Sequence, residues 1–128
     1  MTRIAVVNDD TVFLDMMAAV LRERGWEVSV YREGDSAFEK LRDDPPDVII
    51  LDIRMEKPET GWTVLELLTL DPRTSPIPVI VCSGAILDLR EREGMLRKYG
   101  IAVLPKPFDI KTLYTQVDEA LATGGYGT

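Results

Sequence analysis

At 128 residues the chain is the size of one domain, and its 45% apolar content is enough for one core. A formal charge of −7 argues against direct contact with DNA, RNA or an anionic membrane, where clustered Lys and Arg are needed. The chain has no histidine and one cysteine, Cys82, so imidazole chemistry, an intrachain disulfide and a cysteine zinc site are all excluded and any reaction must run on carboxylates, hydroxyls and amines.

The single cysteine suits a reducing cytoplasm; no stretch approaches the length of a membrane helix, and no signal-peptide core opens the chain. The first apolar run, Arg3 to Val7, predicts a strand that ends at Asn8-Asp9-Asp10. Phe13, Met16, Met17, Val20 and Leu21 then recur at helical spacing, with Asp10 or Thr11 as the N-cap and Gly25 as the stop. Glu27 to Tyr31 alternates as a second strand. Gly34-Asp35-Ser36 opens a helix on which Ser36 and Glu39 have capping-box spacing, and Pro45-Pro46 closes it.

Val48-Ile49-Ile50-Leu51 reads as a strand buried on both faces, ending at Asp52, where a carboxylate reaches water. A long polar loop, 53–60, carries Arg54 and Glu56. Trp62, Leu65 and Leu68 mark a helix closed by Asp71-Pro72, and Val79 to Cys82 is a fourth strand, ending in Ser83-Gly84. Ile86 to Tyr99 reads as one helix, with a thin apolar stripe and Gly94 inside it at a cost of about 1 kcal/mol. Ile101 to Leu104 is the fifth strand, followed by Pro105-Lys106-Pro107, and Asp109 caps a last helix bearing Ile110, Leu113, Tyr114, Val117 and Leu121. Residues 1–122 form the domain, and 123–128 are expected to be a flexible tail.

Strict alternation of five strands and helices predicts a doubly wound α/β fold with a parallel sheet and helices on both faces. One edge of that sheet collects Asp9 and Asp10, Asp52, Ser83 and Lys106. Two carboxylates about 4 Å apart repel by roughly 4 kcal/mol at an effective dielectric of 20, so such an edge favours a cation. All-oxygen donors without His or Cys favour a hard ion such as Mg2+, commonly completed by a phosphate oxygen. A carboxylate, an ammonium and a hydroxyl beside that ion suit phosphoryl transfer to an aspartate.

Val-Val-Asn-Asp-Asp at the first strand, Val-Ile-Ile-Leu-Asp, Val-Cys-Ser-Gly and Leu-Pro-Lys-Pro-Phe together resemble the receiver domain of CheY-like response regulators, over essentially the whole chain. The resemblance implies a flavodoxin-like, five-stranded sheet in the order 2-1-3-4-5. It implies that Asp52 accepts a phosphoryl group from a sensor histidine kinase or phosphotransfer protein, with Mg2+ held by Asp9, Asp52 and the backbone carbonyl of Arg54. Asn8 or Asp10 would reach the ion through water, although Asp10 reads better as a helix cap. Ser83, the Gly84 backbone and Lys106 would engage the phosphoryl group, and Lys106-Pro107 is a candidate cis peptide. Mg2+-dependent self-phosphorylation from a small phosphodonor and autodephosphorylation are expected rather than conventional enzyme turnover. Output would pass through the fourth helix, fifth strand and last helix to a downstream protein, or through homodimerisation, with no direct nucleic-acid or membrane contact.

Three positions depart from the pattern. Asn8 stands where the family has the first acid of its pair, Val103 replaces the switch aromatic, and Glu56 replaces a common proline in a loop about one residue longer before Gly61. Arg54 and Glu56 are candidates to tune the lifetime of the phosphoryl group. These departures motivate a rival reading, a receiver-like interaction module with atypical or no phosphate switching. A flavin-binding protein is disfavoured because Asn8-Asp9-Asp10 would repel the flavin phosphate, and a haloacid-dehalogenase-type phosphatase because Asp52-Ile53-Arg54 lacks a second acid two residues on. Cys82 reads as a small core residue and Trp62 as a packing residue.

Overall fold

The structure, a computed structural model, describes residues 1–53, 60–84 and 86–123. Its elements alternate as β1 (Arg3–Val7), α1 (Thr11–Glu23), β2 (Glu27–Tyr31), α2 (Gly34–Asp43), β3 (Val48–Asp52), α3 (Thr60–Leu70), β4 (Val79–Ser83), α4 (Ile86–Glu91), α5 (Glu93–Lys98), β5 (Ala102–Pro105) and α6 (Ile110–Thr123). The strands form one parallel sheet in the order β2-β1-β3-β4-β5, the doubly wound arrangement expected. The two-residue side-chain period of a strand divides the core into two halves. Ala5, Val7, Ile49, Leu51 and Val81 pack towards α2, α3 and α5, while Ile4, Val6, Ile50, Ile80 and Cys82 pack towards α1 and α6. Every residue of β3 and β4 is buried, as continuous apolar runs between two helical layers require.

Four local expectations change. Glu33, not Ser36, is the N-cap of α2, so Ser36 falls at the third helical position; its hydroxyl turns back to the Glu33 carbonyl and no capping box forms. On α1 the buried stripe is Leu14, Met17, Ala18 and Leu21, leaving Met16 43% exposed and Phe13 and Val20 at its margin, because the apolar arc of this helix is wider than the sheet can cover. On α6, Leu113, Val117 and Ala120 are buried while Ile110 stays half-exposed. The single helix expected over 86–99 is two six-residue helices separated at Arg92, whose backbone leaves the helical region (φ −103°, ψ 10°). Arg92 is anchored elsewhere: its guanidinium lies 4.9 Å from the ring of Trp62 and 3.4 Å from Glu66 Oε1, both on α3. A thin apolar stripe lets this tertiary anchor decide the local geometry.

Among the described residues the buried polar ones are Asn8, Asp52, Thr74 and Ser83, and of these only Thr74 lies away from the C-terminal edge of the sheet. Its hydroxyl donates to the carbonyl of Leu68 at 2.8 Å and so closes the end of α3. Cys82 is fully buried in β4; burial pushes its thiol up to about 12, with the Lys106 charge opposing and the Asp52 charge adding. A thiol reagent at mildly alkaline pH is therefore expected to modify Cys82 only as the protein unfolds, at a rate that rises with urea. Native-state labelling at the rate of a free cysteine would show instead that β4 opens locally.

Candidate phosphoryl-transfer site

Strand register builds the site. β1 and β3 pair Val7 with Leu51, β3 and β4 pair Asp52 with Cys82, and β4 and β5 pair Ser83 with Pro105. Neighbouring strands lie about 4.8 Å apart, so Asn8, Asp52, Ser83 and Lys106 stand side by side where the strands end. The run that buries β3 ends in a carboxylate only 5% exposed. Its counter-charge comes from across the sheet: Lys106 Nζ donates to Asp52 Oδ2 at 3.3 Å. The lysine is held from below as well, since its backbone N–H donates to the Ser83 carbonyl at 3.0 Å. The Lys106-Pro107 peptide bond is cis.

Ser83 is buried and Gly84 exposed, and a Cβ on Gly84 would come within 3.8 Å of Lys106 Cβ. Asp9 follows β1 and is exposed. Its two neighbours are committed differently. Asn8 is buried and its Oδ1 accepts from the backbone N–H of Asp10 at 2.8 Å. Asp10 is the N-cap of α1, its Oδ1 accepting from the N–H groups of Val12 and Phe13 at 3.0 and 3.3 Å. No trio of His, Cys, Asp or Glu converges among the described residues. The oxygens that the described residues would offer a cation at this edge are the carboxylates of Asp9 and Asp52 with the Asn8 amide, a chemistry that suits a hard ion retaining several waters. Arg54, whose carbonyl the resemblance makes the third protein ligand, and Glu56 lie outside the described residues.

Val103 is half-buried in β5 and borders an apolar hollow of about 630 Å3 with Leu89, Leu96 and Ile101. One neighbour of the site is absent from the sequence reading. Phe13, counted there only as part of an apolar stripe, sets its ring 4.5 Å from Lys106 Nζ. An aromatic in the first turn after the acidic run is the only sequence signal for it, and that signal is weak without the fold.

The family model of the response regulator receiver domain matches residues 4–118. Protein PilH of Pseudomonas aeruginosa is 30% identical over 122 residues, covering 95% of this chain and 99% of PilH. The transcriptional regulatory protein ZraR of Klebsiella oxytoca is 32% identical over 119 residues, covering 93% of this chain and 26% of ZraR. A probable transcriptional regulatory protein of Mycobacterium tuberculosis, TcrX, is 29% identical, with 98% of this chain and 52% of TcrX covered. The chain therefore spans between about a quarter and half the length of these two regulators. Among solved structures, a response regulator of Chloroflexus aurantiacus superposes with a TM-score of 0.82 at 26% identity, covering 94% of this chain and 98% of that one. The receiver domain of a sensor histidine kinase from Pseudomonas aeruginosa, solved with magnesium in its active site cleft, superposes with a TM-score of 0.83 at 22% identity, covering 94% and 98%.

Proposed function

The chain belongs to the response regulator receiver family of two-component signalling, and on that premise we propose that it is a phosphorylation-dependent switch with Asp52 as acceptor. Phosphorylation switching is typical of that family, whose members work with histidine kinases or phosphotransfer proteins. One observation carries the assignment to Asp52: a nearly buried carboxylate at the end of β3 paired at 3.3 Å with a lysine from the end of β5.

A carboxylate oxygen of Asp52 attacks the phosphorus of a phosphohistidine or acyl phosphate. The P–N or P–O bond breaks, the imidazole or carboxylate leaves with its electron pair, and an aspartyl phosphate remains. Lys106 offsets the charge that gathers on the phosphoryl oxygens, and the Ser83 hydroxyl and Gly84 N–H are the donors proposed to receive them. Asp9 and Asp52 would hold Mg2+, with the Arg54 carbonyl as the third protein ligand and Asn8 or Asp10 reaching it through water. When bound, Mg2+ neutralises charge between acceptor and donor. Among the described residues no helix is long and apolar enough to cross a membrane, and we place the domain in the cytoplasm.

Phosphorylation replaces the single charge of the Asp52 carboxylate with the roughly −1.5 to −2 of a phosphoryl group, a gain of about one charge at this edge, and shifts the population between two states. We assign the readout to α4, α5, β5 and α6, acting on a downstream protein or a second copy. The separation at Arg92 and the hollow beside Val103 support movement there.

Incubation with acetyl phosphate and Mg2+ is expected to add one phosphoryl group by intact mass, and chelation of the metal with EDTA to suppress it. No adduct, together with unchanged tryptophan fluorescence on adding beryllofluoride, would favour an interaction module without phosphate switching. The commitment of Asn8 Oδ1 to the Asp10 N–H is the observation on that side, since it leaves fewer oxygens for the ion.

A further inference from the structure

Lys106 reaches Asp52 on a long, freely rotating side chain, one third of which is exposed. Its contact with Oδ2 at 3.3 Å is longer than the 2.7–2.9 Å usual for a charge-assisted bond, so the carboxylate alone holds the ammonium loosely. The second contact is the face of Phe13, 4.5 Å from Nζ to the ring centroid, well within the range of cation–π attraction. The ring is itself fixed. It meets Phe108 edge-on, with centroids 6.5 Å apart and planes at 88°. Its backbone N–H donates to Asp10, whose own N–H donates to Asn8 Oδ1. Asn8 thereby builds the turn that aims the ring.

We propose that Phe13 is a positioning residue for phosphoryl transfer, its ring face setting where the Lys106 ammonium stands beside Asp52; this rests on Asp52 being the acceptor. An aromatic face suits the task better than the alternatives. A second carboxylate would hold the ammonium as well but would repel the incoming phosphoryl group. An aliphatic side chain would exclude water without attracting the cation. The ring does both and adds no net charge.

The test compares native protein with Phe13→Leu and Phe13→Tyr, each also in a Lys106→Met background, by the rate of phosphorylation from acetyl phosphate with Mg2+. Phe13→Leu is expected to slow the reaction about three- to fivefold, while Phe13→Tyr stays within about twofold of native. In the Lys106→Met background the Phe13→Leu effect should vanish, because the ring acts through the ammonium. The same slowing with and without Lys106 would overturn the proposal. A second readout needs no phosphodonor: ring current should shift the Lys106 ε-methylene protons upfield in native protein and Phe13→Tyr, but not in Phe13→Leu. Unshifted protons in native protein would overturn it as well. If Phe13→Leu does not fold, Phe13→Met takes its place in both measurements. Failure of native protein to take up a phosphoryl group would count against Asp52 as acceptor, and the proton shifts would still decide the ring's hold on the lysine.

Discussion

Exchanging Gly61 for alanine is expected to destabilise the protein by about 3 kcal/mol or more, a loss of roughly 10 °C in Tm. A methyl carbon built on Gly61 would stand 2.5 Å from Ile53 Cα and 2.7 Å from its carbonyl carbon, and closer still to the carbonyl oxygen. These are backbone atoms, which cannot swing aside as a side chain could, so either α3 or the end of β3 must shift. Alanine gains about 1 kcal/mol over glycine in helix propensity, too little to offset the clash. Gly94 is the control, since a methyl carbon there meets nothing within 4 Å and Gly94→Ala should leave stability unchanged or raise it. Urea denaturation of both variants decides the matter; a Gly61→Ala protein as stable as native would mean that α3 does not rest on Ile53. The effect reaches the site as well. Ile53 follows Asp52 directly, so a displaced strand end would also draw the carboxylate away from Lys106 and slow phosphorylation.

Those two glycines mark where a sequence stops being informative. Gly94 interrupts a helical pattern, yet a methyl carbon there would meet nothing within 4 Å; Gly61 carries no such signal and stands against the Ile53 backbone just past the end of β3. Backbone proximity between segments is a tertiary fact with no periodic trace. The fold was legible for the opposite reason: four strands are short apolar runs that end in Asn8, Asp52, Ser83 or Pro105-Lys106, and parallel register must bring such ends to one edge. That topology places Asp52 and Lys106 on one edge, although their direct contact at 3.3 Å is read from the structure. The ring of Phe13 over the lysine did not, because it depends on the rotation of α1 about its axis, which a wide apolar arc leaves undetermined. The separation at Arg92 was hidden likewise, since it answers to Trp62 and Glu66, some thirty residues earlier.

Asp52→Asn should abolish the phosphoryl adduct while leaving the fold intact. The amide matches the carboxylate in shape but is a poor nucleophile, so the loss is all or none, unlike the partial slowing expected at Phe13. Stability should change by no more than about 1 kcal/mol: Lys106 is one third exposed, and water screens much of what the lost charge contributed. The measurement is intact mass after acetyl phosphate and Mg2+, with thermal unfolding on the same samples. The other carboxylates of this edge are poor substitutes as acceptors. Asp10 is engaged in capping α1, and Asp9, exposed after β1, is the residue we propose for the metal. An adduct that persists in Asp52→Asn would therefore mean that the acceptor lies off this edge, and that the lysine–carboxylate pair stabilises the end of the sheet without taking part in signalling. Loss of the adduct with an unchanged unfolding temperature would separate the two roles, because a purely structural pair should cost stability when broken and chemistry should not.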